Sequence, residues 1–166
     1  MTGSRMGPAR ERTVVVAAVA AEVFTRVADV GSRPAWSGSV GRIQLLRHVD
    51  PDLRSWSVER RLLTRSVPVV YHVAAMPPAC VEVRVSIDGS GVVTRYELDD
   101  EGDVTAVRIT TARFCRGGRP SWRTARRLHR LARLLDRDDA LLLPASARDG
   151  GRDVSQVAGS RHNRRV

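Results

Sequence analysis

The sequence predicts a single α+β domain, a curved seven-stranded antiparallel sheet closed over a long C-terminal helix. Three observations lead there. Between residues 40 and 115 apolar side chains recur at every second position through six successive runs, the period of a strand with one buried face. Short turn-forming clusters separate those runs. From residue 121 to about 143 the period changes to that of a helix, with leucine on one side and arginine on the other.

The elements follow in order. Glu11–Ala17 is β-branched and reads as a first strand. Ala20–Val30 reads as a short helix whose Val23, Phe24 and Val27 share a face, and Gly31 ends it. Pro34 opens a second, shorter helical turn that carries Trp36. The strands Val40–His48, Ser55–Leu63, Val67–Met76, Cys80–Ile87, Val92–Leu98 and Thr105–Cys115 come next. Asp50-Pro51-Asp52, Pro77-Pro78, Asp88-Gly89-Ser90-Gly91 and Asp99–Asp103 punctuate them. Ser121 is the expected N-cap of the long helix, and Pro144 follows its end. Leu128, Leu131, Leu135 and Leu142 share one face of that helix, with Ala125 and Ala132 at its margin. Residues 1–10 read as an unstructured leader, 11–143 as the domain and 144–166 as a disordered basic tail. A sheet of this kind cannot cover its own apolar face, so the long helix must lie across it, and the gap between them is a pocket.

Composition narrows the function. The chain has 166 residues, 42% of them apolar, enough for a core without a metal or disulfide staple. Only Cys80 and Cys115 are present, far apart, which fits a reducing, cytoplasmic setting. All 28 basic residues are arginine, and the net charge is +10. Residues 1–112 hold 14 arginines against 13 acids, whereas residues 113–166 hold 14 against 5. Any anionic partner would therefore meet the C-terminal third. No run approaches the ~20 apolar residues of a membrane span. Arg5, Arg10 and Arg12 before Val14–Ala21 resemble a signal peptide, but that run is short, free of leucine and flanked by Glu11.

At this level the chain resembles the START-like superfamily (the helix-grip fold), in its polyketide cyclase/dehydrase branch. The marks are Val14-Val15-Val16 leading into Ala21-Glu22-Val23-Phe24, then Asp29, Pro34-Ala35-Trp36, Val40 and Ile43. Tyr71 before Pro77-Pro78, and Thr105-Ala106-Val107 entering the last strand, complete them. The resemblance implies a deep cavity for lipids, sterols, quinones or polyketides, without fixing an activity. Its aromatase/cyclase members point polar groups, an arginine among them, from the strand before the proline turn into the cavity. Here that phase reads Val69, Tyr71, Val73, Ala75, and only Tyr71 is polar, which weighs against that particular chemistry.

The expected cavity wall consists of Trp36, Trp56, Val58, Val73, Val83, Thr94, Tyr96, Ile109, Thr111 and Leu128. Arg60 and Tyr71 are the candidate catalytic groups. Arg60 occupies the apolar phase of its strand, where an unpaired charge is costly. It either meets a ligand carboxylate, phenolate or enolate, or escapes to the rim through a bulge. Tyr71 and Tyr96 either present hydroxyls to a ligand or are core aromatics with satisfied hydroxyls. His72 is expected outward, and Asp136, Asp138 and Asp139 are expected to face solvent. No histidine or cysteine spacing suggests a metal site, no glycine-rich phosphate loop is present, and no cofactor is expected.

Two function classes follow. One is an enzyme or carrier for an apolar, aromatic or polyketide-like molecule, with cyclisation or dehydration by general acid/base as its chemistry. The other is an interaction protein whose arginine face (Arg123, Arg126, Arg127, Arg130 and Arg133) binds RNA, ribosome or an acidic partner. The bland alternative for that face is the solvated side of a packed helix.

Overall fold

The computed structural model describes residues 5–31, 40–50, 53–62, 65–115, 117 and 120–144. The helical turn expected after Pro34 with its Trp36, residues 1–4 and residues 145–166 lie outside the described residues. The strands are β1 (Arg5–Met6), β2 (Arg10–Val16), β3 (Val40–Asp50), β4 (Leu53–Leu62), β5 (Arg65–Met76), β6 (Cys80–Ile87), β7 (Ser90–Asp100) and β8 (Thr105–Cys115). The helices are α1 (Ala20–Ala28), between β2 and β3, and α2 (Trp122–Leu142) after β8.

β1 and β2 both pair with β8 along the same edge, as two pieces of one interrupted strand. The antiparallel sheet is thus seven strands across and runs β2–β8–β7–β6–β5–β4–β3. Every pair from β3 to β8 is a sequential hairpin, and the N-terminal strand returns to flank the last. The β6–β7 hairpin turns on Asp88 and Gly89, both in the left-handed region at φ 51° and 78°. Arg5, Met6 and Arg10 pair with β8 in place of the expected leader, and between them the Gly7 amide donates to the Arg113 carbonyl at 2.7 Å. Composition alone hides this, because an edge strand needs backbone partners more than apolar side chains.

Strand alternation sorts the side chains as the period of two dictates. Val58, Val69, Tyr71, Val73, Val81, Val83, Val85, Val92, Tyr96, Val107 and Ile109 form the concave, buried face. α1 sets Val23 and Val27, both fully buried, against the middle strands. α2 begins at Ser121, whose hydroxyl accepts from the Thr124 amide at 3.2 Å, the expected N-cap bond. Its Leu128, Leu131, Leu135 and Leu142 are buried.

The far end of α2 departs from expectation. Asp136 is exposed, but Asp138 and Asp139 are buried, not solvent-facing. They fall on the leucine side of the helix, where burial is tolerable only because each meets a partner from the sheet. Asp138 Oδ2 lies 2.7 Å from Arg60 Nη1 of β4. Asp139 accepts from the Tyr96 hydroxyl of β7 at 2.6 Å and from Arg12 Nη2 of β2 at 3.0 Å.

Candidate functional site

Cross-strand register shows how the inward residues line up. One row runs Val73, Val83, Thr94, Thr111, Arg10, from β5 to β2. The next runs Val81, Tyr96, Ile109, Arg12. A third runs Trp56, Tyr71, Val85, Val92, Arg113, from β4 to β8. Each row is mostly apolar toward the centre of the sheet and ends on an arginine at the β2–β8 edge. Sequence alternation alone marks the apolar members. The cationic ends appear only when the register is known.

That edge borders a cleft of about 780 Å³ between the N-terminal strand pieces, β8 and the part of α2 up to Asp136. β8 contributes Ile109, Thr111, Arg113 and Cys115, all of one strand phase. α2 contributes Ala125, Leu128, His129, Ala132, Arg133 and Asp136. Met6, Gly7, Pro8 and Arg10–Arg12 close the remaining side, with Pro120 at the end. The floor is apolar and the rim is charged, the ordinary composition of a small-molecule site.

Of the expected wall, Ile109, Thr111 and Leu128 border this cleft. Thr94 stands beside Thr111, their hydroxyl oxygens 3.5 Å apart, one strand further in. Val58, Val73, Val83 and Tyr96 lie on the same concave face, buried under the helices. Trp56 is half-buried at the β4 end of its row, and Gly31 sits against its ring. Trp36 lies outside the described residues.

Arg60 and Tyr71 share that concave face, both wholly inaccessible to solvent. β4 runs without a register shift through Arg60, so the residue faces inward and neither bulges nor reaches the rim. Its charge is met by Asp138. Its Nε and Nη2 make no hydrogen bond among the described residues. His72 faces outward and shares a 2.8 Å hydrogen bond with Ser55. Partial burial, and then the nearby Arg84 charge, lower its pKa below the usual 6.5. Among the described residues no cluster of three or more His, Cys, Asp or Glu residues is placed to hold a metal, and no helix is long and apolar enough to cross a membrane.

Three groups that border the cleft were not legible as site residues. Arg113 lies near the end of the expected strand Thr105–Cys115, in the odd phase of Ile109 and Thr111. Arg10 falls in what composition marks as leader. His129 reads as a helix-flank residue, yet its Nδ1 accepts from Arg113 Nη2 at 3.4 Å.

Solved structures share this architecture. The Zhui aromatase/cyclase from Streptomyces sp. R1128 superposes with a TM-score of 0.64 at 14% identity, over 82% of this chain and 88% of that one. The di-domain aromatase/cyclase StfQ of the steffimycin biosynthetic pathway gives 0.64 at 10% identity; 82% of this chain matches half of that one. A START superfamily protein from Mycobacterium smegmatis gives 0.52 at 19% identity, over 81% and 99% of the two chains. No protein-family model and no curated protein matches the sequence. The fold is therefore the START-like helix-grip fold, the fold of those aromatase/cyclases.

Proposed function

We propose that this protein binds a flat, apolar molecule of the aromatic or polyketide-like kind between its sheet and α2. The observation that carries this reading is the cleft itself. Ile109, Leu128, Ala125 and Ala132 offer an apolar floor, and Thr111 adds a hydroxyl that fixes orientation. The fold shared with two aromatase/cyclases supports the same ligand class.

The test is calorimetric titration with 2-naphthamide, a neutral planar probe. The wild-type protein binds it with a micromolar Kd, and Ala125→Trp, which fills the cleft from the half-buried side of α2, abolishes binding while leaving the thermal melt intact. No binding by the wild type, or equal binding by the filled variant, rejects the reading.

A catalytic extension assigns proton transfer to the Tyr71 hydroxyl, with Arg60 of the same concave face holding developing negative charge. Support for it is confined to the two neighbouring aromatase/cyclases and to the inward position of both side chains. With a poly-β-keto substrate, Tyr71→Phe then lowers the rate on the order of a hundredfold. A carrier shows no turnover to lose. The arginine face of α2 as a binding surface for an anionic macromolecule is the weaker reading. Arg133 already borders the cleft and Arg127 lies 3.7 Å from Asp88.

A further inference from the structure

We infer that the cleft selects an anionic aromatic ligand, its carboxylate or phenolate held by Arg113 with Arg10 and Arg133, and its ring covered by Trp122. The inference rests on the binding reading above and names the ligand's charge and the residues that read it.

Charge bookkeeping around the cleft is the first support. Four arginines and two acids border it. Both acids are already engaged: Glu11 lies 3.7 Å from Arg108, and Asp136 lies 3.9 Å from Arg12. Arg12 itself is bound to Asp139. Among the described residues this leaves Arg10, Arg113 and Arg133 with no carboxylate within ion-pair distance. The outer face of the sheet behaves differently, since Arg84, Arg95 and Arg108 each have a glutamate there.

Position is the second support. Arg113 is half-buried and inward, at the end of a row whose other members are Val92, Val85, Tyr71 and Trp56. A guanidinium at the boundary of an apolar wall loses part of its hydration, which strengthens its attraction for an anion. His129 accepts from Arg113 and so leaves the remaining guanidinium hydrogens free to donate. Arg10 opposes Thr111 directly across the β2–β8 ladder, two residues from Arg113.

Trp122 supplies the third. It is the first residue of α2, and it is 68% exposed, an unusual burden for so large an apolar side chain. At 100° per residue it falls at the margin of the stripe of Ala125, His129, Ala132 and Asp136 that borders the cleft, about one turn before Ala125, and Pro120 two residues earlier also borders it. The Arg123 guanidinium lies 5.7 Å from the centre of its ring. An indole there meets the outer part of a flat ligand whose inner part rests on Leu128 and Ile109.

Paired titrations with 2-naphthoate and 2-naphthamide, equal in shape and different in charge, test this at low ionic strength. The wild type binds the naphthoate about tenfold or more tightly, a difference of about 1.4 kcal/mol. Arg113→Gln removes most of that preference by weakening the naphthoate far more than the naphthamide. Arg10→Gln, on an exposed strand, reduces it in part and guards against a folding defect at position 113. Trp122→Ala weakens both probes alike. Equal binding of the two probes by the wild type, or a preference that survives both arginine substitutions, overturns the inference while leaving the binding reading intact. Failure of both probes to bind overturns the two together.

Discussion

Arg60 and Asp138 meet at 2.7 Å inside the protein, while the adjacent Asp139 reaches Arg12 on a strand five places away in the sheet. Two neighbouring residues of one helix can touch β4 and β2 only if the sheet curls round that helix end. The ion pairs are thus a measure of the curvature, and they fix where α2 stops sliding.

Breaking this clasp from one side is costly. Asp138→Ala leaves the Arg60 charge buried without a counter-ion and lowers stability by about 3–5 kcal/mol. The double change Arg60→Met with Asp138→Leu removes both charges and returns near to wild type. Urea unfolding midpoints of the two variants and the wild type decide the matter. A loss below about 1 kcal/mol for Asp138→Ala would mean that water reaches the pair.

The leucine face and the arginine face of α2 are unequal in weight. Leu131→Ala, at a fully buried site, costs about 2–5 kcal/mol. Arg126→Gln, at an exposed site on the same helix, changes stability by less than about 0.5 kcal/mol. Thermal melts of both proteins give the comparison.

Gly91 admits no side chain. A Cβ there would lie 2.0 Å from the Val85 carbonyl oxygen, which belongs to the paired strand. The β6 backbone at Val85 and Ser86 cannot give way cheaply, so Gly91→Ala destabilises by more than about 1 kcal/mol and disturbs the β6–β7 ladder. Amide exchange of β6, which faces that position in the register, accelerates in the variant.

Stability depends on pH through His72. Its pKa is lowered in the folded protein, so the unfolded chain binds the proton first as pH falls. Stability from this group is complete above about 6.5, the unfolded value, and declines as pH drops below it toward the folded value. His72→Gln flattens that part of the profile. An unchanged slope between pH 7 and pH 5.5 in denaturant titrations would show that another group controls it.

The strands and the long helix were readable because burial imposes a period, and period survives in a single sequence. Val81, Val83, Val85 and Ile87 alternate without a break, and the structure buries all four. Polar partners leave no such trace. Asp138 and Asp139 look like the wet end of a helix because their partners, Arg60, Tyr96 and Arg12, lie far away in sequence. Arg60 was singled out by its phase alone, yet phase cannot say whether a carboxylate from the protein or from a ligand answers it. Arg10 and Arg113 were hidden for the opposite reason. An arginine near a strand end is ordinary, and only the β2–β8 register places the two beside one another.

The concave face is built almost wholly from valine: Val58, Val69, Val73, Val81, Val83, Val85, Val92 and Val107 are all buried. Each has one stiff rotatable bond, and among the described residues no methionine joins the core that would let it reshape. The wall is therefore a mould and not a cushion. A guest one methyl too broad meets a surface that does not yield, so discrimination by outline belongs to the sheet. Accommodation is left to the long, hinged side chains at the mouth.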